Sequence, residues 1–548
     1  MAKRSRRKSR KTGKKAPSPA ADTTVAADMP PPYSIEKDIS IWWQLGLTCS
    51  VVALVFLLYA NSLNGDFVFD DIRNIQDNPA RQLITLTLDD LKRVGFSAPN
   101  GRRFVANISF GLNYFFHQHD TFGYRLVNIF IHLFTGLFLY QLVKTTLRLI
   151  TFQNHYQNAG KIAFFTALIW LVHPLATQSV AYIVQRMNSL SALFYMLALL
   201  FYVRARLANQ SFKKWLFFLG CILAGSLAIG SKENAVLLPV FILLYEWYFL
   251  QDLNSGWLKR NTPLLMGVIA LLVGISLVLL GPDIFSKTFG GYSGRYFTLT
   301  ERLLTQSRVV VFYLTQLVFP HPSRLNLDHD FPLSHSLIDP VTTIMAIGFI
   351  VLVIGFALKI AKRERLISFC ILWYLGNLVI ESSFIPLEIF FEHRTYVPSM
   401  GIILLGVLSA FRFISNSTLR LTMLSFIIAA FSLWTYERNF IWGDETKLWK
   451  DVIKKTPNST RAYHNLGNYL SSINRHDEAI EYLTIAVKIN PNYRKRNKPN
   501  ELLNSLGGAL LQKKKYSEAI PHLLQSLEIK PNDWKTHSNL GLAYLKQN

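Results

Sequence analysis

Cysteine is scarce in this chain. Its 548 residues hold three, Cys49, Cys221 and Cys370, each inside a hydrophobic run. Three apolar-set thiols build no disulfide framework and show no metal-ligand spacing, so a disulfide-stapled scaffold and a zinc module are both excluded. Acid is thin too: 34 Asp and Glu stand against 58 Lys and Arg, a formal charge of +24. Residues 3–15 hold nine Lys and Arg and no acid. Ahead of a hydrophobic run of span length, such an arm reads as a cytoplasmic tail that fixes orientation rather than a nucleic-acid arm or a cleaved signal. Charges deep within the hydrophobic runs are few, which argues against a transporter. Histidines and carboxylates show no metal spacing. The sequence assigns no cofactor, and it leaves a divalent metal open without indicating one.

Half of the chain is hydrophobic. Soluble proteins reach that fraction, so the clustering decides the class. Apolar runs of roughly 15–24 residues recur through 41–436, the length of bilayer crossings. Beyond Glu437 the sequence is ordinary soluble protein. The expected architecture is all-α: a disordered basic tail and Pro/Ala-rich linker over 1–38, a polytopic membrane domain over 39–437, and a helical solenoid over 438–548.

Eleven spans are expected, near 41–60, 126–143, 162–178, 187–203, 215–231, 234–251, 261–281, 340–358, 366–383, 396–411 and 420–436. With the basic tail inside, every inner connection is net basic, as the positive-inside rule requires. The stretch Val309–Phe319 is too short for an easy crossing. Leu299–Pro320 therefore reads as an interfacial or re-entrant helix within an outer loop, 282–339. An odd span count puts the C-terminal domain outside the cytoplasm, in a bacterial periplasm or, for a eukaryote, the endoplasmic reticulum lumen.

On this topology the chemistry gathers at one membrane face. The first outer loop, 61–124, carries Asn64-Gly65-Asp66-Phe67-Val68-Phe69-Asp70-Asp71, then Arg102 and Arg103, then an amphipathic surface helix over Phe104–Phe116. Carboxylates at a membrane face suit a general base or an electrostatic stabiliser; the plain alternative is a solvated turn that stops the first helix. The same face receives His173-Pro174, Gln185-Arg186, Ser231-Lys232-Glu233 and Glu388 through Tyr396. Basic groups there suit the phosphate of a lipid donor, Arg as a fork and Lys as a point charge. Arg186, Lys232 and Arg394 read equally as snorkelling anchors, Lys232-Glu233 as a tight turn, His173 as a helix-end residue and His393 as a local hydrogen-bonding group. Glu246, near the inner end of its span, is expected to reach the headgroups.

Residues 444–548 repeat. Leu466-Gly467, Leu506-Gly507 and Leu540-Gly541 head successive units, with 540 − 506 = 34, and Pro457 and Pro491 are also 34 apart. Ala479 and Ala519, then Leu483 and Leu523, hold matching places. This is the tetratricopeptide pattern of paired helices packed through small residues. An insertion near Arg494–Lys498 widens the first interval. Glu445–Pro457 resembles the second half of a unit and splices the array to the last span.

Taken in order, Phe69-Asp70-Asp71, Arg103 with Ser109-Phe110 and Leu112-Asn113-Tyr114, Asn128, His132, His173-Pro174, Gln185-Arg186, Ser231-Lys232-Glu233, Glu392-His393-Arg394 with Tyr396-Val397-Pro398-Ser399, and Arg438-Asn439 with Trp442 resemble the GT-C superfamily of polytopic glycosyltransferases. They resemble most the transmembrane O-mannosyltransferases that carry tetratricopeptide repeats, and their bacterial relatives. The resemblance implies a polyprenyl-phosphate sugar donor and a protein hydroxyl acceptor presented through the repeats. It implies Asp70 as catalytic base with Asp71 second, Arg186, Lys232 and Arg394 on the donor phosphate, and Arg103, Gln185, Glu233 and His393 in support. Phe104 after Arg103 and Gln185-Arg186-Met187-Asn188 depart from the eukaryotic pattern. A non-enzymatic membrane scaffold and a lipid-sugar transporter are the competing functions.

Overall fold

The computed structural model describes residues 41–547 apart from short stretches within 97–100, 150–157, 281–288 and 490–498. The basic tail and linker, Pro491 and the insertion near Arg494–Lys498 lie outside the described residues. Every regular element described is helical.

Each expected span coincides with a helix, yet the count of eleven is not reproduced. Seven helices among the described residues are long and apolar enough to cross a bilayer, or eight if the pair Ala159–Leu171 and Pro174–Val180, bent by 53°, is one crossing. Proline supplies the bend: Pro174 has no N–H to continue the helix, and His173 caps the next turn by accepting from the Leu175 N–H at 3.2 Å. Arg365–Leu378 and Ser399–Phe413 are 14 and 15 residues long. At 1.5 Å per residue they reach roughly 21–23 Å, short of a hydrocarbon layer of about 30 Å. The helix Thr262–Leu280 coincides with the expected seventh span.

Two further expectations are corrected. The last long helix, Ser417–Trp442, runs straight through position 437, and the chain breaks at Gly443 and Asp444, where Asp444 caps the helix Glu445–Lys455. Glu246 does not reach headgroups: it is buried and takes Arg206 at 2.8 Å and the Tyr202 hydroxyl at 2.8 Å. A carboxylate inside an apolar bundle is tolerated when paired and hydrogen-bonded.

Leu299–Val318 is a 20-residue helix opened by a capping box between Thr298 and Glu301. Its buried polar groups work inward. Arg302 donates to the carbonyls of Glu381, Ser383, Leu387 and Glu388, and Gln306 to that of Ile389 at 2.7 Å. This helix is the scaffold that shapes the irregular segment 381–392.

The repeats fold as their spacing predicts. Thr460–Ser472 pairs with His476–Ile489, Pro499–Gln512 with Tyr516–Ile529, and Trp534–Gln547 follows. A side chain at Gly467 would strike Leu483 at 2.5 Å, and one at Gly507 would strike Leu523 at 2.6 Å, so glycine sets the closeness of each pair. The repeats share their core with the front of the chain. One buried cluster runs from Phe67, Val68 and Ile75 through Tyr182, Trp442 and Trp449 to Leu466, Leu483, Leu506 and Leu523. Fully burying side chains of this size contributes about 1.5–3 kcal/mol each, enough to bind the two regions into one body.

Candidate functional site

The acid loop follows the first helix and is shaped by contacts from elsewhere in the chain. Its backbone crosses the end of the Ser417–Trp442 helix so closely that a side chain at Gly65 would meet the Gly443 backbone at 2.7 Å. Arg125, buried at the start of the Thr121–Leu147 helix, donates to the carbonyls of Gly65, Asp66 (2.7 Å) and Ala181 (3.2 Å). Phe69 then takes φ = 50°, a left-handed conformation that costs a non-glycine residue of order 1 kcal/mol. That turn points the next two carboxylates in different directions.

Asp71 goes inward. It is fully buried and accepts from the Val184 N–H at 2.6 Å and the Val68 N–H at 3.2 Å. Burial pushes its pKa up to about 7, against the pull of those two bonds and of Arg125. Asp70 goes outward, and its side chain keeps an exposed face. The Asp70 N–H donates to the Tyr182 hydroxyl at 3.0 Å. Crowding around Asp70 raises its pKa, while the Tyr182 hydroxyl, Arg461 and Arg73 lower it and Glu388 raises it. Tyr182 is itself fixed by stacking on Trp442, with ring centroids 5.3 Å apart.

Beside this loop lies a niche of cations. Lys232 occupies the extended break after the Ser211–Ser231 helix. Its ammonium pairs with Glu381 at 2.6 Å and donates to the Asn188 side chain at 2.9 Å. Burial lowers the Lys232 pKa and Arg103 and Arg394 lower it further, while Glu381 raises it. Arg103 pairs with Glu233 at 2.9 Å, both partly exposed. Arg394 donates to the carbonyls of Glu388 at 2.6 Å and Ile389 at 3.0 Å, so its hydrogen bonds fall on neutral groups. His393 is buried and held well below its ordinary pKa, first by burial and then by Lys232, Arg394 and Arg103. Its backbone N–H donates to the Gln178 side chain at 2.7 Å.

The expected residues therefore divide. Lys232, Arg394, Arg103 and His393 lie within electrostatic reach of one another, with Glu233 paired to Arg103, while Asp70 stands apart on the acid loop. Arg186 does not join the niche: it is fully buried, and it donates to Asn128 at 2.7 Å, to the Tyr124 carbonyl at 2.8 Å and to Ser109. Gln185 is half-buried, and its side chain makes no hydrogen bond among the described residues. Several other motif residues are braces for one another: His132 meets the Tyr396 hydroxyl at 2.7 Å, and Trp170 donates to the Tyr396 carbonyl and to Ser399. Sequence reasoning missed Tyr182, Arg125, Glu381 and Arg461. Tyr182 and Arg125 lie inside or beside helices in ordinary-looking sequence, and only the folded chain brings them to the loop. No group of three or more metal-ligating side chains converges among the described residues.

Residues 108–280 match the dolichyl-phosphate-mannose-protein mannosyltransferase family, and residues 460–493 and 507–548 match tetratricopeptide-repeat families. Similar proteins include the protein O-mannosyl-transferase F38B6.6 of Caenorhabditis elegans, 25% identical over 81% of this chain and 63% of its own. They include Tmtc3 of Drosophila melanogaster, 26% identical over 81% of this chain and 55% of its own. They include TMTC3 of Homo sapiens, 24% identical over 80% of this chain and 51% of its own. The chain thus spans about half to just under two thirds of the length of these relatives. No solved structure matches it. Residues 108–280 thus match a mannosyltransferase family, tetratricopeptide repeats follow at the C-terminal end, and the chain is similar over most of its length to the protein O-mannosyl-transferases.

Proposed function

We propose that this integral membrane protein transfers a sugar from a polyprenyl-phosphate donor to a protein hydroxyl, mannose being the sugar in its relatives' names. One observation carries the reading: of two adjacent aspartates, one is consumed by backbone N–H groups inside the protein, and the other stays exposed. The Asp70 carboxylate takes the proton of the acceptor hydroxyl. The hydroxyl oxygen bonds to the anomeric carbon as the bond from that carbon to the phosphate oxygen breaks. Polyprenyl phosphate leaves as an anion, so cations suffice and no acid is needed. A single displacement with one base inverts the anomeric centre. Arg394 and Lys232 are the cations for the leaving phosphate, and Arg103 lines the open side of the niche. Arg186 supports the site from within.

The site belongs across the membrane from the basic tail, because the connections carrying Lys259, Arg260, Lys359, Lys362, Arg363 and Arg412 lie at the other end of their helices and read as cytoplasmic. That orientation fits a bacterial inner membrane with the repeats in the periplasm, and equally an endoplasmic reticulum membrane with them in the lumen. The repeat array is the surface for the acceptor protein. Purified protein incubated with labelled polyprenyl-phosphate mannose and extracted envelope proteins is expected to label protein. No labelling with any polyprenyl-phosphate hexose would leave the scaffold reading in its place.

A further inference from the structure

The strap 322–330 connects the helix Leu299–Val318 towards the helix Thr342–Ile360 and lies at the junction of the bundle with the repeats. One side of it faces the C-terminal region. Lys455 donates to the carbonyls of Pro322 at 2.8 Å and Leu325 at 2.7 Å. Asp328 takes Arg461 at 3.0 Å and the Ser459 hydroxyl at 2.9 Å. Farther along the first repeat helix, Tyr469 donates to Asp66 of the acid loop at 2.9 Å. The other side of the strap faces Glu392-His393-Arg394. The Glu392 side chain is buried, and its Oε1 accepts from the Asn326 N–H at 2.6 Å and from His329 Nε2 at 2.8 Å. The His329 ring packs on Phe390, with centroids 4.2 Å apart.

Glu392 opens the short turn Glu392–Thr395. The Thr395 hydroxyl closes that turn on the Glu392 carbonyl at 2.8 Å, and the Arg394 guanidinium folds back onto the carbonyls of Glu388 and Ile389. One turn of backbone therefore separates the carboxylate held by His329 from the cation offered to the phosphate. A buried carboxylate keeps its place only while it is hydrogen-bonded. Without His329, Oε1 keeps the Asn326 N–H alone, and the turn is free to shift as Glu392 moves toward water. We propose that His329 is a positioning residue of the donor-phosphate site: by fixing Glu392 it sets where Arg394 holds its charge. The proposal rests on Arg394 being a cation for the leaving phosphate. Asp328, next to His329, is held by the first repeat helix, so the repeats and the donor cation share one mount.

The test is binding of labelled polyprenyl phosphate to the purified full-length protein, with kcat and KM for polyprenyl-phosphate mannose measured alongside. His329→Leu is expected to weaken binding by roughly two- to tenfold, the worth of one hydrogen bond, and to raise KM for the donor while KM for a short Ser/Thr peptide holds. His329→Gln keeps an N–H donor and is expected to recover most of that loss. Arg394→Gln is expected to weaken binding more, and adding His329→Leu to it to change nothing further, because the histidine acts through that arginine. Unchanged binding in His329→Leu overturns the proposal, as does a double variant in which the two losses multiply. Should His329→Leu fail to fold, His329→Asn, whose shorter amide falls away from Glu392, is read in its place. Arg394→Gln binding polyprenyl phosphate as tightly as the parent removes Arg394 as the phosphate cation and this proposal with it. A weakened Arg394→Gln beside an unaffected His329→Leu removes His329 alone.

Discussion

The acid loop and the cationic niche both hold charge, and they do so by different means. In the loop, position is fixed through neutral backbone groups. Arg125 holds four carbonyls, and Asp71 accepts two N–H groups. Those contacts use up one carboxylate and leave Asp70 facing out. In the niche, charges are fixed by other charges: Lys232 by Glu381, Arg103 by Glu233. Arg394 is the exception, because its guanidinium donates to the backbone carbonyls of Glu388 and Ile389. A charged residue in such a site is informative less by its type than by what already satisfies it.

The comparison breaks first at the aspartates. Asp70→Asn is expected to lower transfer by about 10²–10⁴-fold while retaining binding of the donor lipid, measured on inserted, correctly folded protein. Full activity would make both sides of the site structural. Asp71→Asn, by contrast, is expected to act on folding. Weakening its two buried backbone bonds costs about 1–3 kcal/mol, read as a lower melting temperature and less accumulated protein. Should Asp71→Asn fold like the parent and lose catalysis alone, the two aspartates have been given the wrong parts.

The niche is tested next. Arg394→Gln is expected to raise KM for the donor by roughly tenfold or more, the worth of a charged hydrogen bond, with a smaller change in KM for a peptide acceptor. Arg186→Lys is expected to show its effect in thermal stability instead, because it breaks the fork that joins Asn128, Ser109 and Tyr124. Removing residues 499–548 keeps Arg461 and Tyr469 and shortens the array. Transfer to a folded protein should then fall more than transfer to a short peptide, and equal losses would separate the repeats from acceptor selection.

A further expected effect is a pH dependence at the junction. Burial raises the Glu445 pKa to about 7, against about 4.3 in an unfolded chain. Between those values the folded protein keeps a proton that the unfolded chain has released. Stability contributed by this group is therefore greatest below about pH 4, declines as pH rises towards 7, and is flat beyond. Glu445→Gln should flatten that part of a melting temperature against pH curve, and an unchanged slope would mean that another group carries it.

Much of this protein was legible in its sequence because the physics is local. Apolar run length locates helices, a 34-residue period with glycine and alanine at fixed places specifies paired helices, and Asp70-Asp71 stands out against a chain poor in acid. The span count is not confirmed where length was judged by hydrophobicity alone: the segments at 366–383 and 396–411 form helices of 14 and 15 residues. What the tertiary structure alone decided is which member of each motif is free. Arg186 and Arg394 look alike as residues beside apolar spans, yet one is enclosed by Asn128 and two backbone carbonyls and the other borders the niche. Asp70 and Asp71 are neighbours in sequence, and the Val184 N–H, 113 positions away, holds Asp71 inward while Asp70 stays exposed. Hydrogen bonds between distant elements carry no signature in the sequence near either partner, so the division of labour between identical side chains had to come from the fold.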